Sequence, residues 1–145
     1  MYKTFLSLLT VLTIFAVVDT QAQCTSNTND ALCIERISQN NTFVKSYKLN
    51  HRVHSNKEFS SVLAKDTHYY LNLCEDGQVS TNVVINVYNT KRKLIASNQT
   101  KNTILPELTF ECQKTGVYYL EFKANPGAAD CGIGALSFRR TSKNH

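Results

Sequence analysis

Hydrophobic and polar residues alternate along most of the chain that follows Asn41. In the first such stretch, Phe43, Tyr47 and Leu49 fall on one side of an extended chain. A period of two is typical of β-strands whose two faces meet different surroundings. Segments of the same kind recur with turn residues between them. They predict strands over residues 43–49, 58–64, 69–74, 82–88, 93–97, 107–112, 117–123 and 133–139.

A weaker helical pattern precedes these strands. Asp30 is a candidate N-terminal cap for a short helix from Ala31 to about Gln39, with Ile34 and Ile37 loosely on one side. Many short strands beside a single helix are typical of an all-β sandwich or barrel. We therefore expect an antiparallel two-sheet β-sandwich of the jelly-roll type. The expected domain spans residues 43–140, after an N-terminal segment 23–42 and before a flexible tail 141–145.

Two segments of the chain, residues 63–73 and 111–122, resemble each other. Each contains a strand, a polar turn near a lysine, and a second strand that begins Tyr-Tyr-Leu. Because side chains alternate across a strand, every second residue of the two Tyr-Tyr-Leu strands shares a face. We expect the inward set to be Tyr69, Leu71, Leu73, Tyr118, Leu120 and Phe122. The outward set is then His68, Tyr70, Asn72, Tyr119, Glu121 and Lys123.

The first 22 residues have the organisation of a secretory signal peptide. Lys3 supplies a positive charge, residues 5–18 form an apolar stretch, and small residues end at Ala22, where a signal peptidase would cleave. The apolar stretch is short for a membrane-spanning helix, and no second stretch reaches that length. We expect a protein secreted to the periplasm, the cell surface or the medium, without a membrane span.

The distribution of basic residues argues against nucleic acid as a partner. The formal net charge is +5, but the basic residues are scattered along the chain without a block of five. Export also separates the protein from nucleic acid. The simplest interpretation of this positive charge is that it promotes solubility and a weak attraction to anionic surfaces or glycans. We expect a monomer.

All five cysteines follow the predicted signal peptide. In an oxidising compartment four of them are expected to pair, and their spacing matches no common zinc site. Equivalence of the two corners predicts a Cys74–Cys131 bridge, which would contribute on the order of 4 kcal/mol by restricting the unfolded chain. Cys24 and Cys33 would then form a local bridge and leave Cys112 unpaired.

No catalytic motif is evident. The chain has no Gly-x-Ser-x-Gly motif and no recognised cysteine–histidine signature. The histidines are expected to be ordinary surface residues: His51, His54, His68 and His145. Paired carboxylates of the glycosidase type are a spatial property, but the acidic residues are few and fall mostly at turns. We predict that the protein is not an enzyme and needs no cofactor.

Two weaker candidates for a ligand site remain. Glu75, Asp76 and Asp130 are hard oxygen ligands on two loops, and they could bind calcium with help from Asn82 if the fold brought the loops together. Ordinary solvated turn residues are the competing interpretation. Exposed tyrosines could instead form a surface patch for sugars or peptides, because tyrosine combines an apolar face with a polar tip. The candidates are Tyr70, Tyr88 and Tyr119, and cross-strand packing is their competing interpretation.

From about Glu58 to Phe138 the chain resembles the bacterial pre-peptidase C-terminal domain, a small jelly-roll-like sandwich of secreted proteins. The resemblance depends on five segments, namely Phe59–Leu63 leading to Tyr69–Leu73, Val84–Tyr88 followed by Leu94–Ser97, and Thr115–Phe122. The chain differs from that pattern in its cysteines and in an expected standalone arrangement. The resemblance implies an accessory role in binding, export or folding, without catalysis.

These features together predict a secreted, non-catalytic binding or accessory protein whose partner is an unknown protein or glycan. One alternative is a calcium-stabilised carbohydrate-binding protein. Another is a small secreted inhibitor of an extracellular enzyme.

Overall fold

The structure is a computed structural model that describes Cys24 and residues 28–140. The predicted signal peptide 1–22 and the predicted tail 141–145 lie outside these residues. The described chain contains one helix followed by strands, in the order α1 Thr28–Ser38, β1 Thr42–Asn50, β2 Asn56–Leu63, β3 Thr67–Glu75, β4 Gln78–Val79, β5 Val83–Asn89, β6 Leu94–Ser97, β7 Glu107–Cys112, β8 Gly116–Ala124 and β9 Cys131–Arg140. Every predicted strand has a counterpart, and the two-residue β4 was not predicted.

The strands form two antiparallel sheets. In the five-stranded sheet, β1 pairs with β9 and β9 with β3, while β4 and β7 both pair with β3. In the four-stranded sheet, the order is β2-β8-β5-β6. Consecutive strands therefore often lie in different sheets, so the chain crosses repeatedly between the layers and encloses one core. The predicted all-β, two-sheet architecture with a short N-terminal helix is confirmed.

The core lies between the two sheets, and the inward residues predicted from alternation are confirmed. Leu71, Leu120 and Phe122 have no exposed surface, and the other three predicted inward residues are also buried. Of the predicted outward residues, Asn72 is an exception because it is only 4% exposed. Its amide donates hydrogen bonds to Glu107 Oε2 and to the Pro106 carbonyl oxygen. A neighbouring strand and loop thus cover part of the outer face.

A break in the register of β1 changes one predicted face. The pairing with β9 shifts between Phe43 and Lys45, so that Val44 is an extra residue in this edge strand. Tyr47 and Leu49 enter the core, whereas Phe43 is 47% exposed and lines an open groove of about 460 Å³ beside α1. The expectation that Phe43 shares a face with Tyr47 was wrong. A β-bulge reverses the alternation on one side of it, and sequence periodicity does not reveal its position.

Helix α1 contacts β3, β4 and β9 on the outer side of the five-stranded sheet. Asp30 belongs to the first turn of the helix and does not cap a helix from Ala31. Its carboxylate is buried and accepts a hydrogen bond of 3.1 Å from the Gly77 backbone N–H. Gly77 adopts a φ of +78°, and a Cβ there would lie 2.7 Å from the Cβ of Asn29. Only glycine therefore allows the β3–β4 turn to approach the helix this closely.

The predicted disulfide pairing was wrong, although the four paired cysteines and the unpaired Cys112 were correct. The bridges are Cys24–Cys131 and Cys33–Cys74. In the register of β3 and β9, Cys74 lies opposite Ile133 and faces the helix. It therefore pairs with a cysteine of α1, while Cys131 pairs with the segment before the helix. Two bridges of this kind form in an oxidising compartment, in keeping with a secreted or periplasmic protein.

No helix among the described residues is long and apolar enough to cross a membrane.

Gly134 allows close packing in the core, and its substitution is the first test of this fold. A Cβ at Gly134 would lie 2.8 Å from two ring atoms of Phe122, which is fully buried. We expect Gly134→Ala to lower the free energy of unfolding by about 1–3 kcal/mol through overpacking, as measured by urea denaturation. Gly116→Ala is the matched control because a Cβ there meets no atom within 4 Å. Equal stability of the two variants would contradict the described core.

Candidate functional site

The outer face of the four-stranded sheet carries a continuous group of polar and aromatic side chains. Alternation places Tyr119 and Glu121 of β8 outward, opposite Leu120 and Phe122 in the core. Cross-strand register places Tyr88 opposite Tyr119, and Asn86 and Glu58 on either side of Glu121. We call this group the tyrosine face. Its members are Asn56, Glu58, Asn86, Tyr88, Arg92, Tyr119 and Glu121.

Glu121 is the centre of the hydrogen-bond network on the tyrosine face. Its Oε1 accepts a bond of 2.8 Å from the Asn56 amide. Its Oε2 accepts bonds of 2.9 Å from the Asn86 amide and 3.0 Å from the Tyr88 hydroxyl. Burial alone would raise the pKa of Glu121, but these three donors and the charge of Lys123 outweigh it and lower the pKa. The carboxylate is therefore ionised at neutral pH, and it fixes three side chains from the two neighbouring strands, β2 and β5.

Arg92 covers the tyrosine face from the β5–β6 hairpin. Its guanidinium lies 3.9 Å from the centre of the Tyr119 ring, and its NH1 donates a hydrogen bond of 2.6 Å to Glu58 Oε2. Arg92 has a φ of +60°, a left-handed conformation that costs an arginine about 1–2 kcal/mol. The Asn89 side chain supports this turn by accepting hydrogen bonds from the Lys91 and Lys93 N–H groups. A strained backbone thus places the guanidinium over the ring.

Glu58 and Glu121 lie directly opposite each other on β2 and β8. Two carboxylates in this position repel each other unless they are compensated. Arg92 compensates Glu58, while amide and hydroxyl donors compensate Glu121. The carboxylates therefore have separate partners. Glycoside hydrolysis needs one carboxyl group with a raised pKa as the proton donor, and Glu121, whose pKa is lowered, does not suit that role.

The lowered pKa of Glu121 predicts an acid-sensitive contribution to stability. The hydrogen bonds to the ionised carboxylate stabilise the fold fully above the unfolded pKa, about 4.3. This contribution is lost as the pH falls through the lower folded pKa. We expect Glu121→Gln to reduce the free energy of unfolding at pH 7 by about 1 kcal/mol, and the difference from the native chain to vanish in acid. Urea denaturation of both proteins between about pH 7 and pH 2 measures it.

The exposed Glu111, on the other sheet, provides the control as Glu111→Gln. A difference for Glu121→Gln that stays constant down to the lowest pH would contradict the network.

The structure separates the three predicted tyrosines. Tyr88 and Tyr119 are neighbours on the tyrosine face, whereas Tyr70 lies on the outer face of the five-stranded sheet. Arg139 approaches the Tyr70 ring at 5.8 Å, and its guanidinium also donates to the Asn41 side chain. The two similar segments of the sequence thus carry an outward tyrosine beneath an arginine on each sheet. Only two of the three predicted tyrosines, Tyr88 and Tyr119, therefore lie together, and Tyr70 provides a matched comparison.

The predicted calcium ligands are not brought together. Glu75 is buried, while Asp76 and Asp130 are exposed, and Asp130 Oδ2 lies 3.6 Å from Arg52 Nε. Among residue 24 and residues 28–140, no group of three histidine, cysteine, aspartate or glutamate side chains is arranged to hold a metal ion. Calcium binding at these residues therefore has no geometric support in the described chain.

Glu75 instead belongs to a buried polar cluster with Ser80 and His51. The Ser80 hydroxyl donates a hydrogen bond of 2.5 Å to Glu75 Oε2, and His51 Nε2 lies 3.3 Å from Glu75 Oε1. The side chains of His51 and Glu75 are 5% and 7% exposed. The expectation that His51 is a surface residue was wrong, because the turn after β1 folds its ring against Glu75. Gly132 leaves room for both side chains. The cluster ties this turn to the sheet.

The unpaired Cys112 is buried, and its Sγ contacts the hydroxyl of Tyr118 at 3.6 Å. Burial, followed by the hydrogen bond with Cys112, raises the pKa of Tyr118 to about 12. The Tyr118 hydroxyl therefore stays protonated and donates a bond of 2.8 Å to the Lys114 carbonyl oxygen. This pair closes the β7–β8 turn from inside the core.

Sequence reasoning missed most of the polar members of the tyrosine face. Alternation placed Glu121 beside Tyr119 on one outward face, which was the available signal. Arg92 appeared only as one of many scattered basic residues. Its contact with Glu58 depends on the register of β2 against β8 and on the shape of the β5–β6 turn, and neither has a local signature.

Comparisons with known proteins add little beyond this geometry. No protein-family model matches the chain, and no curated protein sequence does. A solved structure, the periplasmic inhibitor PliG of g-type lysozyme from Aeromonas hydrophila, is similar with a TM-score of 0.42 at 13% identity, over 65% of this chain and 86% of that chain. A likeness at this level carries no argument about activity. The resemblance to pre-peptidase C-terminal domains stays a prediction.

Proposed function

We propose that this is a secreted, non-catalytic binding protein whose ligand lies across the tyrosine face. The observation that supports this proposal is that side chains of the face hold one another in place through hydrogen bonds and a cation–π contact. Glu121 immobilises Asn56, Asn86 and Tyr88, while Arg92 lies over Tyr119. Side chains that are already ordered lose little conformational freedom on binding, which favours affinity.

The same contacts argue against catalysis at this face. Glu121 is surrounded by donors to its ionised form, so it is a poor proton donor at neutral pH. The carboxylate of Glu58 is engaged by Arg92. A surface of this kind can orient a ligand through hydrogen bonds and ring contacts, but it supplies neither a general acid nor an activated nucleophile.

A binding screen with paired variants tests this proposal. The native protein, Tyr119→Ala and Tyr70→Ala are immobilised and exposed to a glycan array and to concentrated culture fluid, after circular dichroism has confirmed folding. We expect at least one ligand that binds the native protein and Tyr70→Ala equally and is lost from Tyr119→Ala. A ligand retained by both variants, a ligand lost only from Tyr70→Ala, or no ligand at all would overturn it.

We propose inhibition of an extracellular enzyme as a second candidate, because apolar side chains border the tyrosine face. Val62 and Val117 are direct cross-strand neighbours, and Leu94 lies opposite Tyr88. They are 71%, 38% and 49% exposed. Exposed apolar groups beside a polar, aromatic surface are typical of protein interaction sites.

The inhibitor candidate is tested with a panel of secreted hydrolases that includes a g-type lysozyme, the enzyme inhibited by the Aeromonas hydrophila protein. We expect inhibition of one enzyme by the native protein and at least a ten-fold weaker effect for Val62→Asp. Val53→Asp is the control, since Val53 is 57% exposed in the β1–β2 turn. No inhibition, or an equal effect of both substitutions, would remove this candidate.

A further inference from the structure

We infer that the tyrosine face recognises a uronic-acid-containing oligosaccharide, with Arg92 as the group that binds the sugar carboxylate. This inference depends on the proposed function and names the ligand class of the same face. It follows from the chemistry of Arg92, from the charge around it and from the hydrogen-bonding groups beside it.

The position of Arg92 is already suited to a carboxylate. Its guanidinium bonds the Glu58 carboxylate at 2.6 Å, yet the Arg92 side chain is 58% exposed and that of Glu58 is 36% exposed. A guanidinium has five N–H donors in a planar fork, so a second carboxylate can bind beside Glu58. The Tyr119 ring beneath fixes the plane of the fork.

The left-handed backbone conformation at Arg92 also indicates that its side chain has a specific role. Glycine, asparagine and aspartate are the residues that commonly adopt this conformation in turns. The other two non-glycine residues with positive φ in the described chain are Asp66 and Asp76, which follow that preference. Arginine at this position needs a gain from its side chain, and the guanidinium over Tyr119 provides one.

Charge around Arg92 favours an anionic ligand. Lys91 and Lys93 flank it in the exposed hairpin, and Lys123 lies next to Glu121 on β8. The whole chain has a net charge of +5. The two carboxylates of the face already have partners, so the exposed edge at the hairpin is positive and attracts an acidic ligand.

The rest of the tyrosine face suits a sugar better than a simple anion. The side-chain amides of Asn56 and Asn86 each use one N–H on Glu121, and Asn86 also hydrogen-bonds the Tyr88 hydroxyl. Asn56 therefore retains a second N–H, and both amides retain a carbonyl oxygen. Tyr88 and Tyr119 add ring surface between these amides and Arg92. This arrangement would match a ligand that carries hydroxyl groups able to donate and accept hydrogen bonds, an apolar ring surface and a carboxylate.

The test compares an oligogalacturonate with the same oligosaccharide after reduction of its carboxyl groups to hydroxymethyl groups. Isothermal titration calorimetry measures both with the native protein, Arg92→Gly, Arg92→Gln and Arg139→Gln. Arg92→Gly removes the side chain while relieving the left-handed backbone, so the turn is retained. Arg139→Gln makes the equivalent change at the Tyr70 site of the other sheet.

We expect the acidic oligosaccharide to bind the native protein and Arg139→Gln alike, and about ten-fold or more weakly to both Arg92 variants. The reduced oligosaccharide should bind the native protein as weakly as the acidic form binds Arg92→Gly, and salt should weaken only the acidic form. Equal binding of both oligosaccharides, or Arg92 variants that bind like the native protein, would overturn the inference.

The failure of the inference is distinguishable from failure of the proposed function. If both oligosaccharides bind equally and Tyr119→Ala abolishes binding, the carboxylate role of Arg92 is wrong and the binding face stands. If neither oligosaccharide binds, the uronic acid class is wrong, and the array and culture-fluid screen decides whether the face binds another ligand such as an acidic protein.

Discussion

Replacing Cys33 and Cys74 together with alanine is expected to lower the free energy of unfolding by about 4 kcal/mol. The bridge joins α1 to β3 across a sequence separation of 41 residues. Its loss enlarges the conformational freedom of the unfolded chain. The helix is then held by its contacts with β3, β4 and β9 and by the Cys24–Cys131 bridge that precedes it. Urea denaturation measures the change, and the double substitution avoids a new free thiol.

Cys112→Ala is the control because it removes a buried sulfur without cutting a bridge. It should cost about 1–2 kcal/mol through a small cavity. Peptide mapping without reduction should recover Cys24 linked to Cys131 and Cys33 linked to Cys74. Recovery of a Cys24–Cys33 peptide, or a double variant no less stable than Cys112→Ala, would contradict the described position of the helix.

Replacing Asn98 with alanine is expected to cost roughly 3 kcal/mol. Asn98 is 1% exposed and follows β6. Its Oδ1 accepts a bond of 2.7 Å from the Ile85 N–H, and its amide donates to the carbonyl oxygens of Val83 and Leu105 at 3.1 and 2.9 Å. Alanine would leave these backbone groups without the side-chain partner, in a part of the core that water does not reach.

Asn82→Ala is the matched control for Asn98, because Asn82 is exposed at the turn before β5. It should change stability by less than about 0.5 kcal/mol. Thermal and urea denaturation of the two variants give the comparison. A loss below 1 kcal/mol for Asn98→Ala would show that the buried amide does not stabilise the edge of the four-stranded sheet.

Sequence patterns identified the strands and the core of this protein because both depend on local alternation. The Tyr-Tyr-Leu strands illustrate this, since Tyr69 and Tyr118 are buried as predicted. Phe43 shows where the approach fails, because an extra residue in β1 reverses the side on which it points. Periodicity fixes a face only as far as the next bulge.

The tyrosine face and several buried contacts were less accessible to sequence reasoning, since they depend on register and on contacts between distant segments. Asn98 belongs to a polar stretch that resembles any surface loop, yet its amide bonds backbone groups of β5. His51 likewise follows a strand in a polar turn, and only the tertiary structure brings it to Glu75. Disulfide pairing failed for the same reason, because the position of α1 on the outer face is not encoded by cysteine spacing.

Amide chemical-shift mapping tests the central claim most directly. The isotope-labelled native protein is titrated with the ligand that the screen identifies, and backbone amide shifts are followed along each strand. The proposal predicts that the largest changes occur at Glu58, Tyr88, Arg92, Tyr119 and Glu121, with no comparable change at Tyr70 or Arg139. Changes centred on Tyr70 and Arg139, or on the groove between α1 and β1, would contradict a binding site on the four-stranded sheet.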